Sequence, residues 1–324
     1  MPDRGLRQER LAQSVRAMYN AHPFPNRYTT LASRSDERFE RIYREFLRIP
    51  LDELKGKTFL DAGCGTGENT WSWRRFLDPS VRIVAVDLSE ASITIARQRG
   101  ADQPLQPPFA VASLLDLALP ANSVDVAFCS GVLGDASDPD RAFRELTRVL
   151  KQDGYMILVL YHRYGRALHG LRRAVVDLLE RDDIDRRARL GGLLFGRSMR
   201  KLAEAEQVPY EGLLYDQFGH PCETRHSVGQ ALAWFKQAGI QYLGTWPPVE
   251  WSQLGKGLRF SYYFARRYQL WLFRLLLKLF PEPDQAPRQP PGFVNRSTMQ
   301  ALWALDQLQL FAISGRKASL THDG

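Results

Sequence analysis

The residues with the clearest chemistry form the run Asp61-Ala62-Gly63-Cys64-Gly65-Thr66-Gly67-Glu68. Three alternate glycines let a backbone turn tightly and approach a ligand with no side chain in the way. A helix opening near Glu68 would aim its unpaired N–H groups, and a favourable potential, at an anionic end of that ligand. Twenty residues after Gly67, at the end of the apolar run Val81-Arg-Ile-Val-Ala-Val, stands Asp87. A carboxylate at a strand end can accept both hydroxyls of a ribose. Loop and acid together predict a nucleotide-type site. The dinucleotide spacing G-x-G-x-x-G would need glycine at position 68; Glu68 stands there and disfavours a nicotinamide oxidoreductase.

Proton-transfer candidates lie further along. Tyr161-His162-Arg163-Tyr164 leaves an apolar run, and His162 there is a candidate base or anchor, with a packed histidine as the plainer reading. The densest polar stretch is Tyr215-Asp216-Gln-Phe-Gly-His220-Pro-Cys222-Glu223-Thr-Arg-His226. His220 and Glu223 are candidates for acid–base work, against the alternative of a structural loop. Tyr161 and His226 are candidates for contact with the second substrate. The spacing of His220, Cys222, Glu223 and His226 fits no standard zinc pattern, so no metal is expected. Tyr19 to Tyr28, with prolines at 23 and 25, is either a lid bringing Tyr19 to the ligand or a simple connector.

These residues need a scaffold, and the hydrophobic pattern supplies one. Short apolar runs at 58–61, 81–87, 108–112, 124–130 and 155–161 alternate with helical patterns at 68 onward, 89–99 and 138–150. Ser89 is the expected cap of the second of these helices. The run at 155–161 is apolar throughout and should be buried on both faces. The rhythm breaks at Arg163 and resumes with a helix capped by Ser227, a strand at 240–245 and a last strand at 308–314. The expected fold is α/β, a doubly wound, seven-stranded, mostly parallel sheet with helical insertions. Its expected divisions are 1–50 (a helical lid, its second helix capped by Ser35 and Asp36), 51–162 (core), 163–226 (insertion), 227–246 (core), 247–305 (insertion), 306–317 (last strand) and a tail at 318–324.

The spacing Asp61-x-Gly63-x-Gly65-x-Gly67 resembles the first motif, (D/E)-x-G-x-G-x-G, of the class I S-adenosylmethionine-dependent methyltransferases. Val86-Asp87-Leu88-Ser89 resembles the end of that family's second strand. Leu119-Pro-Ala-Asn-Ser-Val-Asp125 resembles its lead into strand four, Arg148-Val-Leu-Lys151-Gln-Asp-Gly154 its "RvLKpGG", and Leu310 to Lys317 its last strand. The resemblance implies S-adenosyl-L-methionine as cofactor, with Asp61, Gly63, Gly65 and Gly67 around the methionine end and Asp87 on the ribose. It adds Leu88 packed on adenine, Ser113 and the Leu114 backbone at the end of strand three, and Ser130 at the end of strand four. Two departures stand out. Ser113 replaces the acid that many relatives use for the adenine amino group, with Asp116 three residues on. Gly134-Asp135 stands where relatives often carry two histidines.

Charge narrows the second substrate. The chain has 324 residues, a formal net charge of +8, and 44% hydrophobic and 25% charged residues, an ordinary globular balance. The surplus is local. Residues 163–201 hold eleven basic and five acidic residues and 251–280 six basic and none acidic, while the remainder is net −4. Arg172, Arg173, Arg186, Arg187 and Arg189 could meet an acidic group, or could form a solvated face. On a helix, Arg259, Arg266, Arg267, Arg274 and Lys278 would share about a third of the circumference opposite a wide apolar face. That stretch, 257–280, reads as a mostly buried helix, a peripheral membrane contact, a dimer face or a roof over a greasy pocket. No stacking or basic-helix motif of a nucleic-acid module accompanies the charge. The expected acceptor is thus a small or lipophilic molecule. The rivals are a tRNA methyltransferase using the basic insertions and a non-catalytic nucleotide-binding scaffold. Three scattered cysteines (Cys64, Cys129, Cys222) and a first ten residues without an apolar core predict a cytoplasmic protein.

Overall fold

A computed structural model describes residues 2–27, 40–250, 290–305 and 309–319. The proposed caps Ser35 and Asp36, the lid's Tyr28 and the 257–280 helix lie outside the described residues. Helix α1 (Pro2–Ala21) is followed by a turn, and one π-helical turn at Ile42–Phe46 precedes the sheet. The core then runs β1 (Thr58–Ala62), α2 (Glu68–Phe76), β2 (Arg82–Asp87), α3 (Glu90–Arg99), β3 (Phe109–Val111), β4 (Val124–Ser130), α4 (Pro139–Val149) and β5 (Leu150–Tyr161). An insertion follows: α5 (Ala167–Leu179), α6 (Ile184–Glu206), α7 (Tyr210–Leu214) and a π-helical turn at Tyr215–Gly219. α8 (Val228–Gln237), β6 (Ile240–Trp246), α9 (Phe293–Leu305) and β7 (Leu310–Lys317) complete it.

The seven strands lie in the order β3-β2-β1-β4-β5-β7-β6. The pairs among β1 to β5 are parallel, and β7 runs antiparallel between β5 and β6. This is the expected doubly wound, mostly parallel sheet, with one antiparallel strand next to its edge. Alternate residues serve opposite faces. Leu60, Ala127, Met156 and Leu158 pack under α4 and α8 with Phe143, Leu146, Trp234 and Phe235. Their neighbours Phe59, Val126, Phe128 and Ile157 pack on the other side with Trp73, Tyr43 and Leu47. Both faces of β5 are thus covered, as its unbroken apolar run requires.

Strand β5 begins five residues earlier than its apolar run. Val124 pairs with Leu150, but Val126 pairs with Tyr155, and Asp153 takes a left-handed φ of 59° within the irregularity. The polar Lys-Gln-Asp-Gly stretch is a bulged strand entry, which hydrophobic periodicity does not register. Caps fall where the short polar residues predict. Ser89 accepts from Ser92 N–H and Ser227 from Gln230 N–H.

Candidate functional site

Every parallel strand delivers its C-terminal end to one edge of the sheet, where ligands bind in folds of this kind. β1 runs into the glycine loop there. Gly63, Gly65 and Gly67 take φ of 81°, 52° and 86°, a region that side chains disfavour. A Cβ on Gly65 would lie 2.9 Å from the Phe24 carbonyl oxygen, and one on Gly67 would lie 2.9 Å from the Ala96 Cβ. The loop is therefore held both by backbone conformation and by close neighbours.

Two carboxylates flank it. Asp87 accepts from Gly65 N–H at 2.8 Å through one oxygen and from Ser89 N–H at 2.8 Å through the other. Each oxygen keeps a second lone pair, so the group can still accept from a ribose. Asp61 is fully buried. Thr70 donates to its Oδ2 at 2.5 Å, while its Oδ1 has no hydrogen-bond partner among the described residues. Burial pushes the Asp61 carboxyl up to about 7, against the Thr70 hydrogen bond and helped by the charges of Asp87 and Glu68. A buried acceptor atom without a donor, beside the glycine turn, suits the ammonium of an amino acid. The donor set fits the cofactor that the motif resemblance implies.

The other implied contacts are spread along the same edge. Leu88 follows Asp87, and Ser113 hydrogen-bonds Leu115 N–H at 3.1 Å while bridging to Asp116. Leu114 is half-buried against the core, and Ser130 ends β4.

The segment after α1 covers this loop. Ser89 Oγ lies 3.0 Å from the Tyr19 carbonyl oxygen. Asn26 N–H donates to Thr66 Oγ1 at 3.1 Å, and Arg27 N–H to Glu68 at 3.2 Å. Arg99 pairs with Glu68 and donates to Asn26 and the Arg27 carbonyl. Residues 19–27 are thereby tied across the glycine loop.

Beside the loop lies a buried polar cluster from four distant parts of the chain. Tyr161 OH donates to Asp135 Oδ2 at 3.2 Å, and Tyr19 OH to Asp216 Oδ1 at 3.2 Å. His220 Nε2 stands 3.9 Å from Asp135 Oδ1. Arg166 lies over the Tyr161 ring at 4.2 Å and pairs with Glu223 at 2.8 Å. His169 and Arg173 approach the same Glu223 oxygen at 3.4 and 3.9 Å. Tyr19 connects the two sites: its carbonyl oxygen accepts from Ser89 Oγ beside the glycine loop, and its hydroxyl donates to Asp216 in the cluster.

Environment sorts these groups by base strength. Burial, then Asp216 and Glu223, raise Asp135 well above the carboxylate range. Burial raises Asp216 to about 6, against the pull of Arg166. Burial, with Arg173, lowers His220 to about 3; its Nδ1 accepts from Cys222 N–H at 3.2 Å. For Glu223, burial would raise the pKa, but His169, Arg166 and Arg173 outweigh it and lower the group to about 2. His220 and Glu223 are too weakly basic for the proton-transfer role their residue types suggest. Glu223 neutralises buried cations instead.

Two of the sequence candidates stand apart. His162 points away from Tyr161, its successor position on the strand turning it to the opposite face. It packs against Phe311, and its Nδ1 accepts from Gly165 N–H at 3.1 Å. His226 sits against the Trp234 ring and 3.1 Å from Thr224 Oγ1. The arginines grouped in sequence also separate, with Arg173 and Arg187 buried and Arg186 and Arg189 exposed. Asp135, Asp216, Arg166 and His169 are the cluster members that sequence reading did not assign. A signal exists for two of them. Arg166, His169 and Arg173, spaced i, i+3, i+7, share one helical face.

Residues 60–158 match the family described as a methyltransferase domain. An uncharacterized protein of a Synechococcus species is 26% identical over 295 residues, covering 84% of this chain and 70% of that protein. The ubiquinone/menaquinone biosynthesis C-methyltransferase of Bordetella parapertussis is 26% identical over 45% of this chain and 57% of its own length. The malonyl-[acyl-carrier protein] O-methyltransferase of Serratia marcescens is 33% identical over 32% of this chain and 37% of its own. The alignments thus span little more than half, or less, of those two enzymes. Geranyl diphosphate C-methyltransferase from Streptomyces coelicolor is a distant structural likeness, 15% identical with a TM-score of 0.47 over 95% of this chain and 98% of that one. Residues 60–158 are thus a methyltransferase domain, and the chain that carries it is an enzyme.

Proposed function

We propose that the enzyme methylates a small, lipophilic acceptor whose polar atom lies against Asp135, Tyr161, Tyr19 and Asp216. The observation that carries this reading is the pairing of two sites joined by Tyr19: a backbone cradle with a free Asp61 oxygen, and a closed polar cluster. When bound, S-adenosylmethionine supplies an activated methyl group on a sulfonium, a good leaving group. The chain's own residues then orient and deprotonate. Asp61 meets the ammonium, Asp87 the ribose, and the strap at 19–27 excludes water from both. Asp135, the most basic carboxylate in the cluster once ionised, takes a proton from the acceptor atom, and Tyr161 holds its other oxygen. Tyr19 and Asp216 align the acceptor from the lid side. One relative is named for ubiquinone/menaquinone biosynthesis, which agrees with this choice.

Calorimetric titration with S-adenosylmethionine tests the cofactor half. Binding by the wild type, abolished or strongly weakened by Asp87→Ala, is expected; equal binding by the variant would sink the ribose assignment. For the acceptor half, methyl transfer from labelled cofactor into organic-soluble cell metabolites is expected. Transfer into tRNA alone would favour the rival reading of the basic insertions.

A further inference from the structure

The insertion helix that lines the acceptor cluster is two-faced. On α5, taking Leu168 as 0° and about 100° per residue, Leu171, Val175, Leu178 and Leu179 fall near −60°, −20°, −80° and +20°. These five apolar side chains, within about 100° of arc, are all exposed, Leu178 to 86%. His169, Arg173 and Val176, near 100°, 140° and 80° on the same scale, are buried on the opposite side. One helix therefore carries the Glu223 network on its inner face and a leucine ridge about 16 Å long on its outer one. An apolar ridge of this kind on an isolated chain marks a contact surface.

Helix α6, packed beside it, shows what that surface fits. With Leu193 as 0°, Arg186, Arg189, Arg197 and Arg200 fall near +20°, −40°, +40° and −20°. All four are exposed, as is Lys201, and they surround Leu193, itself exposed to 81%. Arg186 is engaged by Glu180 and Asp183. Arg189, Arg197 and Lys201 have no carboxylate partner among the described residues. Against the exposed acids Asp182, Asp183, Asp185 and Glu204, the exposed Arg181, Arg186, Arg189, Arg197, Arg200 and Lys201 leave the face cationic on balance. Leucines standing out of a basic face are the combination that partitions into the interface of an anionic bilayer.

We propose that the outer faces of α5 and α6 dock the enzyme on anionic lipid membranes, leucines inserted and arginines against the headgroups. The contact proposed is a peripheral one; among the described residues no helix is long and apolar enough to cross a membrane. Docking here places the acceptor cluster one helix thickness from the bilayer, where a lipophilic acceptor is dissolved. That consequence rests on the proposed acceptor, but the docking itself does not.

Co-sedimentation of the full chain with phosphatidylcholine vesicles, with and without about a third phosphatidylglycerol, separates the two. The wild type is expected to bind the anionic vesicles, weakly the neutral ones, and to be released by salt. Leu171→Glu/Leu178→Glu should weaken binding at least roughly tenfold, and Arg189→Glu/Arg197→Glu less, with a shallower salt dependence. Both pairs are at the surface, so circular dichroism and cofactor affinity should match the wild type. Failure of the wild type to bind anionic vesicles at low salt overturns the proposal. So does undiminished binding by the leucine variant, which would locate the contact elsewhere. Light scattering decides the remaining case: a wild-type dimer that the leucine variant converts to monomer assigns the ridge to a second copy and overturns membrane docking. Failed cofactor titration with intact vesicle binding would refute the proposed function alone.

Discussion

The glycine cradle and the acceptor cluster lie side by side and are built in opposite ways. The cradle is contiguous: Asp61 to Glu68 supplies a turn, three left-handed glycines and a helix start, and only Asp87 comes from elsewhere. It works mainly through the backbone. The cluster works through side chains, with Tyr19 from α1, Asp135 after β4, Tyr161 at the end of β5, and Arg166, Asp216 and Glu223 from the insertion. A backbone site tolerates many sequences as long as the glycines stay. A side-chain site held by one buried carboxylate should be brittle.

The largest test of that contrast is Glu223→Ala. Arg166 and Glu223 are each 3% exposed, and His169 and Arg173 converge on the same carboxylate. Removing it leaves buried cations unpaired, which costs about 3–5 kcal/mol. Urea unfolding should show that loss; a change under about 1 kcal/mol would mean solvent reaches the arginines. By contrast, Asp87→Ala should leave the fold nearly intact and act on binding. A charge-assisted hydrogen bond to a ligand is worth about 1.5–3 kcal/mol, so loss of even one of the two ribose bonds should lower affinity for S-adenosylmethionine roughly tenfold or more.

The same contrast explains what the sequence made legible. The cradle was readable because its signal is local: glycine spacing, a strand before it, a helix after it and one acid at a strand end. The sheet was readable for a related reason, since both-face burial leaves unbroken apolar runs such as 156–160. The cluster was only half readable. Tyr19, Tyr161, His220 and Glu223 stood out by residue type, but chain distance hid that Asp135 meets Tyr161 and that Asp216 meets Tyr19. Residue type also misled on strength. Histidine at an ordinary pKa is a natural base, yet burial beside Arg173 brings His220 to about 3, and His162 lies on the wrong face of its strand. Those are tertiary effects with no signature in spacing.

The cradle's own titration gives a finer test. An unfolded aspartate titrates near ~3.9, whereas Asp61 is raised to about 7. Between those values the folded chain holds a proton that the unfolded chain has lost. Asp61 therefore subtracts stability as pH rises through that window. An ammonium on Oδ1 favours the ionised form, so cofactor affinity should rise from pH 6 to pH 8, with proton release below about 7. Calorimetry in buffers of different ionisation enthalpy reads that release directly. Asp61→Asn should abolish both the release and the pH dependence; if they persist, another group carries them.

The smallest expected effects compare the two capping serines. Ser227 Oγ accepts from Gln230 N–H at 3.2 Å, a cap and little more, so Ser227→Ala should cost about 1 kcal/mol. Ser89 caps α3 in the same way at 3.1 Å, but its hydroxyl also reaches the Tyr19 carbonyl at 3.0 Å and Asn20 Oδ1 at 2.9 Å. It joins the cofactor half to the strap that carries Tyr19 into the acceptor cluster. Ser89→Ala should therefore match Ser227→Ala in stability to within about 1 kcal/mol, since the extra bond is worth only that much. It should differ in kinetics, raising KM for the acceptor as Tyr19 loses its anchor, while Ser227→Ala leaves KM unchanged. Equal KM values in the two variants would show that the strap is held by Asn26, Arg27 and Arg99 alone, and that the two halves of the site are coupled through Glu68 rather than Ser89.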